Sequence, residues 1–268
     1  MEPTTLQIPG YAFARRHDEV ASTMDVARES AALLASVVNG AGLECARRQT
    51  AGRGRQGRSW SGSGDSFMGT FLFASRGATH QFSGYSLAVG CAVAETLETL
   101  GARVALKWPN DLVSVKAGEV SKVGGILIEV QDVGEQRVVL VGIGINVGAA
   151  PQEVPGATSI LDISGILDIS GRNLSPDVLE LPLASRLLAM HRRFVDQGGF
   201  PQFCGDWMKR SCFVLGSTQV EVGLGARTAS GTFEGLDPSG ALLLSSSGRV
   251  EAVHSGHVTM LSGLRDTR

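Results

Sequence analysis

Aromatic residues are scarce in this chain: ten Phe, three Trp and two Tyr, 6% of 268 residues. A basic excess is missing too, with 24 Lys and Arg against 26 Asp and Glu and a net charge of −2. Together these weigh against a general nucleic-acid coat protein, which is strongly basic. Cysteine is limited to positions 45, 91, 204 and 212, with no CxxC pair. That spacing fits neither a zinc site nor a disulfide scaffold and predicts free thiols in a reducing compartment. Long apolar runs are missing as well. The uncharged stretch Val138–Gln152 is 15 residues, broken by Gly and Pro, and too short to span a bilayer. The N-terminus, MEPTTLQIPGYAFARRHDE, has no apolar core of the signal-peptide kind. A cytoplasmic protein without membrane association is expected.

What is abundant is glycine, 35 residues, about twice the usual ~7%. Without a short period this means tight turns or close backbone approach to a ligand. At 43% hydrophobic residues and 268 in length, the chain suits one or two globular domains.

Ser22 with Asp25 fits a helix-capping box, followed by an apolar stripe that Asn39–Gly40 ends. Strands are predicted at 43–48, 66–74, 103–107, 112–115, 126–130 and 137–146, with a loop at 116–125. Helices are predicted at 85–100, 175–197 and 200–212. From Ala149 to Arg172 the chain turns to Pro, Gly and Ser and repeats a hexapeptide, ILDISG at 160–165 and again at 166–171, read as a lengthened loop. After Gly216, short alternating strands at near ten-residue spacing predict a small β-barrel. The division expected is 1–212 and 213–268.

Four segments carry candidate chemistry. In Gln49–Trp60, glycines at 52, 54 and 57 satisfy G-x-G-x-x-G, but Trp-Ser-Gly-Ser-Gly follows and no acid lies between Asp65 and Glu95. A dinucleotide-binding turn is therefore rejected. The alternatives are arginine forks for carboxylate and phosphate oxygens, or a solvated basic loop. Lys107-Trp-Pro-Asn-Asp111 is either a turn or a polar cluster meeting a metal-bound nucleotide. Lys122 before Gly124–Gly125 is either an exposed turn lysine or a point charge on an anion. Gly142 and Gly144, inside an apolar strand that ends at Asn146, leave room for a ligand or for another backbone. His17, His80, His191, His254 and His257 adjoin none of these segments, and His254 and His257 read as surface residues of the C-terminal unit. The pattern argues against covalent nucleophilic catalysis and against a zinc site. It favours chemistry by positioning and neutralising anions.

Taken together in this order, the segments resemble the biotin protein ligases. The matching residues are Ser22-Thr23, Gln49-x-x-Gly52-Arg53-Gly54-Arg55-x-Gly57-Arg58-x-Trp60, Lys107-Trp-Pro-Asn110-Asp111, Lys122-x-x-Gly125 and Gly142-x-Gly144-x-Asn146. The resemblance covers roughly residues 15–262. It implies an α+β fold, with a catalytic domain like that of class II aminoacyl-tRNA synthetases and lipoate ligases plus a C-terminal SH3-like β-barrel. It implies ATP, Mg²⁺ and biotin, with biotinyl-5′-AMP formed first. The biotin is then passed to a lysine of a biotin carboxyl carrier protein.

By the same resemblance, Ser22, Thr23, Met24, Gln49, Gly52, Arg53, Gly54, Arg55, Lys122, Gly125 and Gly142 hold biotin. Arg55, Arg58, Trp60, Asn110, Asp111, Lys122 and Asn146 face ATP. Lys122, Arg55 and Asp111 are the catalytic candidates, with Asp111 near Mg²⁺ or taking the acceptor lysine's proton. No metal site is implied by side-chain clusters.

Two departures stand out. Met24 replaces the Asn common in the family, and Leu261 replaces a basic residue, so the barrel is assigned no ligand contact. Only 21 residues precede Ser22, too few for the family's helix-turn-helix, so no sequence-specific DNA binding is expected. A homodimer is left open. The rival readings are a lipoate or other acyl-protein ligase on the same fold, and a nonenzymatic nucleic-acid binder through Arg47–Arg58.

Overall fold

The computed structural model describes residues 2–37, 39–62, 64–75, 82–165 and 174–267. An eight-stranded sheet comprises β1 (Thr4–Thr5), β2 (Phe13–Val20), β3 (Ala41–Gln49), β4 (Ser66–Ser75), β5 (Ala105–Lys107), β6 (Asp111–Lys116), β7 (Glu119–Val133) and β8 (Gln136–Asn146). Their spatial order is β1-β2-β3-β4-β8-β7-β6-β5. Of the strand pairs of this sheet among the described residues, only β2–β3 is parallel. The pleat sorts β4 cleanly: Phe67, Phe71 and Phe73 enter the large core, while Leu72 and Ala74 face the other way. The large core is covered by α2 (Tyr85–Thr99), α4 (Glu180–Asp196) and α5 (Pro201–Arg210). On the opposite face α1 (Thr23–Ser30), continued by a 3₁₀ turn to Leu34, lays Met24, Ala27, Ala31 and Leu34 on Leu72, Ala74, Val138 and Leu140.

Strands β9 (Gln219–Leu224), β10 (Arg227–Leu236), β11 (Leu242–Ser246), β12 (Arg249–Val253) and β13 (His257–Ser262) form an antiparallel sheet ordered β12-β11-β10-β9-β13. These are the short strands expected of the small C-terminal β-barrel, and among the described residues the edge strands β12 and β13 do not pair with each other, so no closure is seen. Alternation and turn spacing place strands but carry nothing about whether the edges meet. The sheet joins the large core through Phe213, Val220, Val222 and Phe233. Trp108 Nε1 adds a hydrogen bond to the carbonyl of Gly240, 3.0 Å.

Other expectations need correction. Ser22 does cap α1, accepting from Met24 N at 3.3 Å, but Asp25 pairs with Arg28 and Arg53 instead of completing the box. The loop expected at 116–125 is mostly strand: the chain turns at Ala117–Gly118 and β7 begins at Glu119. Strand β2 was not foreseen, because Arg15, Arg16, His17, Asp18 and Glu19 hide its backbone pairing with β3. The first hexapeptide copy forms α3 (Ile160–Ser164), with Ser159 and Asp162 making a reciprocal cap. The second copy lies outside the described residues. No described helix is long and apolar enough to cross a membrane.

Candidate active site

Along the α1 face of β8, Val138 and Leu140 are followed in register by Gly142 and Gly144. Where the side chains stop, a cavity of about 380 Å³ opens, within the range of small-molecule sites. The close approach predicted from these glycines comes from a side chain: a Cβ on Gly144 would overlap the Trp60 indole. Trp60 Nε1 is buried and has no hydrogen-bond partner among the described residues. Met24 lies against Gly142 and is 3% exposed, so its thioether packs on the glycine floor.

The polar wall comes from α1 and the end of β3. Gln49 Oε1 accepts from Thr23 N (2.7 Å) and Thr23 Oγ1 (3.0 Å), and Thr70 Oγ1 donates to Thr23 Oγ1 at 2.9 Å. This network fixes the Gln49 amide at the cavity wall.

The glycine–arginine segment folds back on itself. Trp60 N bonds Gly52 O at 2.9 Å and Gly54 N bonds Arg58 O at 2.7 Å, around a 3₁₀ turn at Arg55–Gly57. Gln56 and Gly57 take φ of 56° and 73°. The arginines do not simply repel one another. Each has its own anchor: Arg53 on Asp25 (2.8 Å), Arg55 on Asn110 Oδ1 (3.0 Å) and Arg58 on His257 Nδ1 (3.2 Å).

Opposite this loop, Asn110 is held at both ends, since its Nδ2 also donates to Ile126 O at 2.8 Å. Asp111 Oδ1 lies 2.6 Å from Lys122 Nζ. Lys122 sits at a bulge, where Leu112 pairs with Gly124 but Val113 pairs with Lys122. The extra residue re-aims the strand. The lysine's backbone is clamped to the 154–158 loop, N to Gly156 O at 2.7 Å and O from Thr158 N at 2.8 Å.

Arg53, Arg55, Arg58, Lys107 and Lys122 therefore line the cavity with a single carboxylate, Asp111. Burial above all, then Arg58, lowers the Arg55 pKa, with Asp111 opposing. His257 is pushed below the usual histidine value by burial, then by Arg58, Lys107 and Lys122. Burial raises the Cys91 and Cys212 thiols to about 12, so neither is an activated nucleophile.

Of the predicted site residues, Ser22, Thr23, Met24, Gln49, Arg53, Gly54, Arg55, Arg58, Trp60, Asn110, Asp111, Lys122, Gly125 and Gly142 line this one cavity. Gly52 does not. It is buried, and a Cβ there would come within 2.5 Å of the Trp60 carbonyl. Asn146 does not either: it is 2% exposed, donates to Thr158 O at 3.0 Å and accepts from Ser66 Oγ at 3.4 Å. Lys107, quoted within its motif but given no role, lines the wall, as do Pro155, Gly156, Gly256, His257 and Val258. The C-terminal sheet, assigned no ligand contact from the sequence, thus contributes Gly256, His257 and Val258 to the cavity wall. Arg58 and His257 are 199 positions apart, and no local pattern links them.

Residues 19–146 match the Biotin/lipoate A/B protein ligase family, and 218–261 match the Biotin protein ligase C terminal domain. The chain is 32% identical over 227 residues to a biotin--[acetyl-CoA-carboxylase] ligase of Paracoccus denitrificans, covering 82% of this chain and 90% of that one. A ligase of the same name from Mycobacterium tuberculosis is 33% identical over 260 residues, covering 92% and 90%. Among solved structures, biotin protein ligase from Aquifex aeolicus in complex with biotin and ATP superposes with a TM-score of 0.70 at 27% identity, covering 95% of this chain and 99% of that one. The Leishmania major biotin protein ligase with biotinyl-5-AMP gives 0.57 at 26% identity, covering 90% and 98%.

Proposed function

The chain belongs to the biotin protein ligase family, and we propose that it joins biotin to ATP as biotinyl-5′-AMP and transfers the biotinyl group to a lysine of a biotin carboxyl carrier protein. The observation that carries this reading is the cavity itself: an uncharged glycine floor beside five cationic side chains and one carboxylate. The bicyclic ring would lie over Gly142 and Gly125 against the Ser22, Thr23 and Gln49 wall, with Met24 supplying an apolar contact. Its carboxylate would point to Arg55 and Lys122, and Arg53 and Gly54 would close the rim.

In the first step a carboxylate oxygen attacks the α-phosphorus and the bond to the β-phosphate bridging oxygen breaks, releasing pyrophosphate. Anion approaching anion is slow through repulsion, so preorganised cations supply the acceleration. Arg58, Lys107, Asn110 and Trp60, which line the same cavity, would face the nucleotide. In the second step the lysine amine attacks the acyl carbon and AMP leaves. Asp111 is the carboxylate at hand for the amine's proton, and its contact with Lys122 has to loosen first. The described residues hold no cluster of three or more metal-ligating side chains. Asp111, the carboxylate in the cavity lining, would be the protein ligand for a Mg²⁺ ion carried by the nucleotide's phosphates, and the ion would neutralise phosphate charge.

We place the boundary between the catalytic and C-terminal units near residue 212. The four free thiols, three of them buried, support a cytoplasmic setting.

A thermal-shift comparison of biotin, lipoate and octanoate tests substrate choice. Biotin at a hundredfold excess over its Kd adds about 2.7 kcal/mol to stability and raises Tm by several degrees. A larger rise with lipoate or octanoate than with biotin would overturn the assignment.

A further inference from the structure

His257 opens β13 on the edge of the C-terminal sheet, its backbone paired with Gly223. Gly256 before it takes φ of 151°, and a Cβ there would overlap Val222 and come within 2.9 Å of Gly223 O. The entry to the strand is thereby fixed, and the imidazole reaches the cavity wall beside Arg58. Arg58 Nη1 is 3.2 Å from His257 Nδ1. A guanidinium has only donors, so Nδ1 is the acceptor and the imidazole is neutral, with its proton on Nε2. Burial favours that form first, and Arg58, Lys107 and Lys122 also oppose a second proton, with Asp111 acting the other way.

Resting on the function proposed above, we propose that His257 is a positioning residue for the nucleotide's phosphates. It clips the glycine–arginine loop to the C-terminal sheet through Arg58 while leaving the Arg58 charge uncancelled. The chemistry of the three anchors supports this. Arg53, at the rim, is held by a carboxylate, whereas Arg55 and Arg58 are held by neutral acceptors, Asn110 and His257. A carboxylate at 257 would orient Arg58 equally well. It would also neutralise it and repel an incoming triphosphate. A neutral acceptor orients without either cost.

This makes the outcome depend on the chemistry of the replacement as well as on the loss of a contact. Steady-state KM for ATP and for biotin is measured with His257→Ala, His257→Gln and His257→Glu, alongside ATP titration by calorimetry without biotin. Ala should raise KM for ATP about tenfold, the scale of one hydrogen bond to a charged group, with KM for biotin unchanged within about twofold. Gln, a neutral acceptor, should restore most of the loss. Glu should be worse than Ala for ATP while melting no lower than wild type, because its ion pair with Arg58 keeps the clip.

A purely structural clip predicts the reverse, with Glu at least as good as Gln, and that result would overturn the proposal. So would a wild-type KM for ATP in all three variants. A wild type that binds ATP but releases no pyrophosphate with biotin would overturn the ligase reading alone. The rank order of calorimetric Kd would then decide the role of His257.

Discussion

Replacing Lys122 with alanine removes an ammonium 2.6 Å from Asp111 that is 40% exposed. The structural and chemical consequences differ greatly in size. A half-exposed ion pair contributes about 0–1 kcal/mol to stability. The hydrogen bonds of Lys122 to Gly156 and Thr158 are made by its backbone and survive the change. Tm should therefore fall by no more than about 4 °C. In the proposed adenylation step the same ammonium would be a fixed charge between two reacting anions. At an effective dielectric near 20, a unit charge 4 Å away contributes about 4 kcal/mol. Loss of one preorganised partner typically slows turnover by about 10²–10³-fold. Biotin-dependent pyrophosphate release, with Tm measured on the same sample, should show a fall of at least ~10² without unfolding. Lys122→Arg should recover only part of it, because the planar fork does not reproduce a compact point charge. Release within about threefold of wild type would remove Lys122 from the chemistry. A drop in Tm large enough to unfold the variant at assay temperature would also defeat the reasoning.

Three further outcomes follow. Asp111→Asn should slow both half-reactions if the carboxylate holds Mg²⁺, and mainly transfer from pre-formed biotinyl-AMP if it takes the lysine's proton; normal rates in both would exclude it. Gly144→Ala should lift the Trp60 indole off the floor, cutting adenylation by at least about tenfold through overpacking. Trp108 and Trp207 are buried at 2% and 1%, so an accompanying change in tryptophan emission would report Trp60, and unchanged emission with unchanged activity would contradict the packing. His191, stacked on Phe73 and bonded to Tyr85 at 2.8 Å, is held near pKa 4, chiefly by burial. The fold thus favours neutral His191, so its full contribution is present above about 6.5 and is lost as pH falls through 4, roughly 3 kcal/mol in all. Denaturant melts between these limits should show that loss, and His191→Gln should flatten it.

How much of this was legible in the sequence depended on the range of each interaction. The glycines at 142 and 144, the arginine spacing and the Lys107–Asp111 and Lys122 motifs are local, and they marked the cavity. The apolar strands β4 and β8 announced themselves by burial on both faces, as β2 with its charged side chains did not. What stayed hidden was set by contacts between distant segments. Examples are the bulge that re-aims Lys122, the Gly156 clamp on its backbone and the meeting of Arg58 with His257. Asn146 belongs to the same class: its place in the motif suggested a ligand contact, but its amide is bonded to Thr158 O and Ser66 Oγ and it does not line the cavity.

On the proposed function, one cavity carries out both activation and transfer. Incubating the protein with biotin, ATP and Mg²⁺, then with a biotin carboxyl carrier domain, and following both species by mass spectrometry tests it most directly. Biotinyl-5′-AMP should appear bound to the protein and then be consumed as a single carrier lysine gains biotin. With ATP left out of the incubation, neither species should form. No protein-bound adenylate, or carrier labelling that does not depend on ATP, would contradict the account.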